Sequence, residues 1–143
     1  MSMGPVMIVG PGRMGLTLAG AFHDAGIFRE VVVAGRHPRH PEGPGWDDRS
    51  RYVFGLERPA PGTVAVLLAV PEAEVPEVAH ALATLGAAPD GCAVFHLSGS
   101  LPTDVLEPLY HAGYVVGALH PLLAVSDPTV GRNSVDEIGR AHV

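Results

Sequence analysis

An α/β fold, built on a doubly wound and mostly parallel sheet, is predicted by three observations. A short apolar run, Val6-Met7-Ile8-Val9, breaks into the turn Gly10-Pro11-Gly12-Arg13-Met14-Gly15 close to the start of the chain. Apolar strand-like runs then alternate with segments of helical period. The strongest of these runs, Thr63 to Val70, is continuously apolar, as a strand covered on both faces must be.

Composition narrows the class further. The chain has 143 residues, enough for one well-buried core and too few for a two-domain dehydrogenase. Hydrophobic residues make up 47% and charged residues 17%, which argues for a packed domain rather than a disordered one. A formal charge of −6 gives no basis for binding nucleic acid or an anionic membrane. All 9 basic residues are arginine, so no lysine can serve as P-loop cation, Schiff base or proton carrier. The single Cys92 permits neither an internal disulfide nor a cysteine zinc cluster, in keeping with a reducing cytoplasm. No basic leader and no membrane-length apolar run is present.

The first strand ends in G-x-G-x-x-G, and each glycine has its own task. Gly10 turns the chain off the strand, Gly12 lets backbone approach a pyrophosphate, and Gly15 lets the next helix pack against the sheet. The free N–H groups at the start of that helix face the phosphates. Met14, Leu18, Ala21, Phe22 and Ala25 form its apolar face, and Gly26 ends it. Glu30 to Gly35 is a β-branched run and the second strand, which completes the strand–helix–strand context the motif requires. Arg36 stands 21 positions beyond Gly15 (36 − 15), at the end of that strand. An acidic residue there would hold the ribose hydroxyls of NAD, whereas an arginine suits the 2′-phosphate of NADP. Arg36, with Arg39 and His37 beside it, therefore points to NADP in preference to NAD, with a solvated turn arginine as the plainer alternative.

Residues 37–50 are dense in proline and glycine and read as an irregular surface segment, in which His37 and His40 lack the further ligands a metal would need. Tyr52-Val53-Phe54 is expected as a short edge strand. After the apolar run from Thr63, Pro71 ends the strand and Pro76 opens a helix. Val75, Val78, Ala79, Leu82 and Leu85 form the inward stripe of that helix, and Glu72, Glu74 and Glu77 cluster at its positive end. His80 is read as a partly packed structural histidine. Cys92 to Leu97 forms the next strand and delivers His96, Ser98, Gly99 and Ser100 at its carboxyl end, where open α/β sheets bind ligands. A helix over 102–112 and a last strand from Tyr114 to Leu119 follow, the latter leading into His120-Pro121. The expected strand order is 3-2-1-4-5-6, a Rossmann-type sheet.

Four segments in order, G-P-G-R-M-G at Gly10 to Gly15, L-L-A-V-P-E at Leu67 to Glu72, H-L-S-G at His96 to Gly99 and L-H-P-L at Leu119 to Leu122, carry a resemblance. Together they resemble the Rossmann-like oxidoreductases with a C-terminal helical domain of unknown function, within the 6-phosphogluconate dehydrogenase superfamily. Prephenate dehydrogenases and pyrroline-carboxylate reductases are more distantly similar. The resemblance implies hydride transfer between a nicotinamide cofactor and a small carbonyl, imine or hydroxy substrate. It also implies a helical domain, absent from this chain, that supplies half of the substrate pocket and the interface of a full-length homodimer. By position, Ser98 and His120 take the substrate-contacting roles. Ser98 can donate to a substrate oxygen or to the nicotinamide carboxamide, or it can cap the next helix. His120 can accept the substrate's hydroxyl proton, or be a structural histidine before a proline. The expected cofactor-binding set is Gly10, Gly12, Arg13, Met14, Gly15, Arg36, Val70, Pro71 and Ser98, with no metal ligands. A dinucleotide-binding module without turnover is the other reading left open.

Residues 1–131 are assigned to the dinucleotide-binding domain and 132–143 to a tail that is not the protein's own. Ile138 to Val143, followed by a stop, matches one reading frame of a widely used sequencing adapter. The natural chain is expected to continue, and genomic sequence downstream of Asp136 tests this.

Overall fold

A computed structural model describes residues 3–119. Strand β1 (Val6–Val9) enters helix α1 (Arg13–Ala25), which returns to β2 (Val31–Gly35). A long loop leads to β3 (Arg51–Phe54), followed by β4 (Ala65–Leu68) and α2 (Val75–Thr84). Then come β5 (Ala93–His96), the short helix α3 (Glu107–His111) and β6 (Val115–Ala118). The six strands form one sheet in the order β3-β2-β1-β4-β5-β6, and every neighbouring pair is parallel. The order reverses at β1/β4, so the carboxyl ends of those two strands open a crevice between them.

Alternation along β1 sends its side chains to two cores. Val6 and Ile8 join Leu18, Phe22, Val31, Val33 and Leu67 under α1. Met7 and Val9 join Val32, Val66, Leu68, Val75, Ala79, Leu82, Leu106 and Leu109 beneath α2 and α3. Ile8 pairs in register with Val33 on one side and Leu67 on the other, all but sealed from water. Burial of each such side chain contributes roughly 1.5–3 kcal/mol, so the central three strands carry much of the stability.

Helix α1 ends as its sequence requires. Gly26 adopts the left-handed conformation (φ 65°), and its N–H donates to the carbonyls of Phe22 and His23. Three expectations need correction. The segment 102–112 is not one helix: Thr103–Leu106 forms a 3₁₀ turn and a true α-helix begins only at Glu107. Pro108 lacks an N–H, so the chain restarts its helix there with the proline in the first turn. Leu85 is 42% exposed rather than inward, because α2 ends at Thr84. His80 is exposed, not packed. Among the described residues no helix is long and apolar enough to cross a membrane.

Candidate functional site

Two clefts meet at the carboxyl edge of the sheet and share Ala69 and Val70 as a common wall. The first, about 640 Å³, lies over the ends of β1, β2 and β4 and is lined in part by Gly10, Gly12, Arg36, Val70 and Pro71. Its floor is set by two glycines. The Gly10 N–H donates to the Ala34 carbonyl (2.9 Å), and Gly10 has φ 110°, a conformation side chains rarely adopt. A Cβ on Gly15 would collide with the Gly10 carbonyl oxygen, so α1 can sit this close to β1 only without one.

Gly12 differs from both. Its φ of −77° and ψ of −171° suit any residue, and a Cβ there would meet no heavy atom within 4 Å. Nothing among the described residues requires glycine at this position; a ligand lying close to the backbone would. No side chain among the described residues caps the amino end of α1 and no acidic residue occupies its first turn, so its amide groups remain available to an anion. Arg13 is exposed beside them. The dimensions and donors fit a dinucleotide's pyrophosphate.

Arg36 stands at the cleft mouth, its side chain 75% exposed and ion-paired with Glu74, which follows β4. The 37–50 loop forms the outer wall, with His37 and Pro41 on the cleft side. Tyr52 donates its hydroxyl to the His37 carbonyl (2.6 Å), and His40 stacks on Trp46 with ring centres 4.4 Å apart. Arg49 ties the loop to α1 by donating to Asp47 (2.7 Å) and to Asp24 (3.1 Å). The Arg49 hydrogen bonds hold the Asp47 carboxyl down at about 2, against the opposing effect of its partial burial. No group of three or more His, Cys, Asp or Glu among the described residues could hold a metal ion.

The second cleft, about 550 Å³, opens over the ends of β4 and β5 and is lined by Met14, Glu72, Ser98 and Ser100 among others. Ser98 Oγ accepts the N–H groups of Ser100 (3.1 Å) and Leu101 (3.2 Å), so this hydroxyl organises the turn while it borders the cleft. Ser100 donates its hydroxyl to the Glu72 carboxylate, which links the turns after β4 and β5. His96 is fully buried rather than presented to the cleft. Its Nδ1 accepts the Ser98 N–H (3.2 Å), which puts the proton of the neutral ring on Nε2, an atom without a partner among the described residues. Burial pushes the Cys92 thiol up to about 11 and removes it as a nucleophile. His120 and the tail lie outside the described residues.

Seven of the nine expected cofactor-binding residues border a cleft, while Arg13, exposed, and Gly15, buried, line neither. Gly10, Gly12, Arg36 and Pro71 border the first cleft, Met14 and Ser98 border the second, and Val70 borders both. Sequence reading did not single out Glu72 and Ser100 as site residues, and saw Glu74 only as a helix-dipole charge. The visible signal was the acid cluster after Pro71, but its partners come from other strands.

The model of the Rossmann-like domain matches residues 2–121. No curated protein matches the sequence. Among solved structures, a Bacteroides fragilis protein described as an NADP oxidoreductase is 20% identical with a TM-score of 0.64, covering 84% of this chain and 44% of its own. A diketoreductase is 18% identical with a TM-score of 0.66, covering 99% of this chain and 62% of its own. The prephenate dehydrogenase of A. aeolicus, bound to hydroxyphenyl propionate and NAD+, is 19% identical with a TM-score of 0.62, covering 85% and 43%. These likenesses are of fold, and the chain spans between 43% and 62% of the lengths of the three structures.

Proposed function

The chain belongs to the family of Rossmann-like domains, and on that premise we propose that it is the dinucleotide-binding part of an oxidoreductase. The reaction is hydride transfer between a nicotinamide cofactor and a small carbonyl, imine or hydroxy substrate. One observation carries the reading: the open space at Gly12, over a helix terminus with no side-chain cap, where the protein itself has no need of glycine. The first-turn amides and Arg13 hold the pyrophosphate, Val70 and Pro71 flank it, and Arg36 takes the 2′-phosphate that makes NADP the preferred cofactor over NAD. When bound, the cofactor supplies the hydride donor or acceptor. Ser98 orients the carboxamide or a substrate oxygen, and His120 accepts the proton that a hydroxy substrate releases. In this reading residues 1–131 are the dinucleotide domain of a cytoplasmic enzyme, and a helical domain completes the substrate pocket and a homodimer.

Titration with NADP and NAD tests the reading. NADP should bind more tightly, and Arg36→Glu should reverse that order by weakening NADP about tenfold or more, since a charge-assisted contact becomes a repulsion. Equal affinity for both nucleotides in the unmodified protein removes the assignment to Arg36. Binding of NADPH without its oxidation by any of a broad carbonyl and imine panel, in a version carrying the helical domain, would leave a nucleotide-binding module only.

A further inference from the structure

Arg36 is the one arginine among the described residues that line the first cleft, and it does not stand free there. Its guanidinium is engaged by the carboxylate of Glu74, which reaches across the mouth from the last residue of the 3₁₀ turn Glu72–Glu74. Glu77, one helical turn further, lines the same cleft and makes no ion pair among the described residues. Among the described residues the cleft thus presents one guanidinium and two carboxylates, a balance that opposes a dianionic phosphate even though it contains the residue suited to bind one.

We propose that Glu74 is a second specificity-determining residue of this cleft: its carboxylate holds Arg36 across the mouth and competes with the 2′-phosphate of NADP for the guanidinium. The inference rests on the dinucleotide reading above and adds to it a named competitor. Release is inexpensive, because the Arg36 side chain is largely solvated and a pair with one partner in water is worth little, although the Glu74 side chain is mostly covered. The freed carboxylate also keeps a favourable place, since Glu74 directly precedes α2, where the helix dipole stabilises negative charge. NAD carries no group that asks for Arg36, so its binding leaves the pair intact. The preference for NADP is therefore smaller than Arg36 alone would confer.

The test is a double-mutant cycle of nucleotide dissociation constants on Arg36→Gln, Glu74→Gln and the double variant, with Glu77→Gln as control. Glu74→Gln should tighten NADP about twofold to fivefold, the range set by an exposed ion pair, and leave NAD unchanged. In the Arg36→Gln background the same substitution should no longer affect NADP. Glu77→Gln, which only lightens the field, should shift NADP equally in both backgrounds. The Arg36 Nε–H resonance of the nucleotide-free protein should move in Glu74→Gln and stay in Glu77→Gln. An unchanged NADP affinity in Glu74→Gln, or an equal gain with and without Arg36, overturns the competition. Failure of the unmodified protein to bind either nucleotide would instead overturn the dinucleotide reading itself.

Discussion

At the ends of β1 and β2 the cleft is shaped by backbone that cannot accept side chains, whereas at the ends of β4 and β5 it is shaped by side chains that fold the backbone. Gly10 and Gly15 are fixed by geometry within the protein, and the strands beneath them are buried throughout. The other half relies on the hydroxyls of Ser98 and Ser100, the Glu72 carboxylate and the His96 ring. Its outer strand β6 leaves Val115 61% exposed. Steric constraint makes the first half rigid and intolerant; hydrogen bonding makes the second adjustable. Under the proposed function, a surface for a chemically invariant pyrophosphate suits the first construction, and one for a variable substrate suits the second.

Substitution at Gly15 should break the first half outright. Gly15→Ala drives a methyl into the Gly10 carbonyl oxygen, and because the obstacle is backbone the expected cost is about 3 kcal/mol or more, read from denaturant unfolding. Retention of normal stability would mean that α1 can move away from β1. Gly12→Ala sharpens the contrast within the same loop. Its methyl has room, so stability should change by less than about 1 kcal/mol while dinucleotide affinity falls about tenfold, measured by titration. In the second half, Ser98→Ala removes the acceptor for two backbone N–H groups and should cost about 1 kcal/mol without abolishing folding.

The smallest effect concerns the loop that walls the first cleft. Asp47 has a carboxyl held at about 2 in the fold against an ordinary 3.8, so its contribution is fully present above the ordinary value and fades as pH falls through about 2. The difference in melting temperature between the unmodified protein and Asp47→Asn should therefore narrow on acidification from about pH 5 to about pH 2. A constant difference would remove the Asp47–Arg49 pair as its source.

The sheet was legible because its signals are local. Apolar runs, the glycine turn and the helix stop at Gly26 each act within a few residues, and the β1–α1–β2 unit and the strand order follow from them. What escaped depends on competition between neighbours or on distance. Pro108 divides what periodicity joins into one helix. Leu85 has the spacing of a core residue but lies one position past the end of α2. In the site, the glycine motif announced its own placement. The partnership of Arg36 with Glu74 did not, since 38 positions separate them (74 − 36) and only the sheet's reversal at β1/β4 brings their strand ends to one opening. His96 shows the same limit: its place at a strand end fitted a ligand contact or a bond to backbone, and its orientation makes it a buried acceptor for the Ser98 N–H.

The stacking of Trp46 on His40, with ring planes 6° apart, has a practical side. Trp46 is the chain's single tryptophan, and it sits in the segment whose other face carries His37 and Pro41 into the first cleft. Indole emission depends on what lies against the ring, so any shift of this wall that unstacks the pair alters the fluorescence of the whole protein. The domain thereby carries an intrinsic, label-free optical gauge of events at the opening where Arg36 and Glu74 meet.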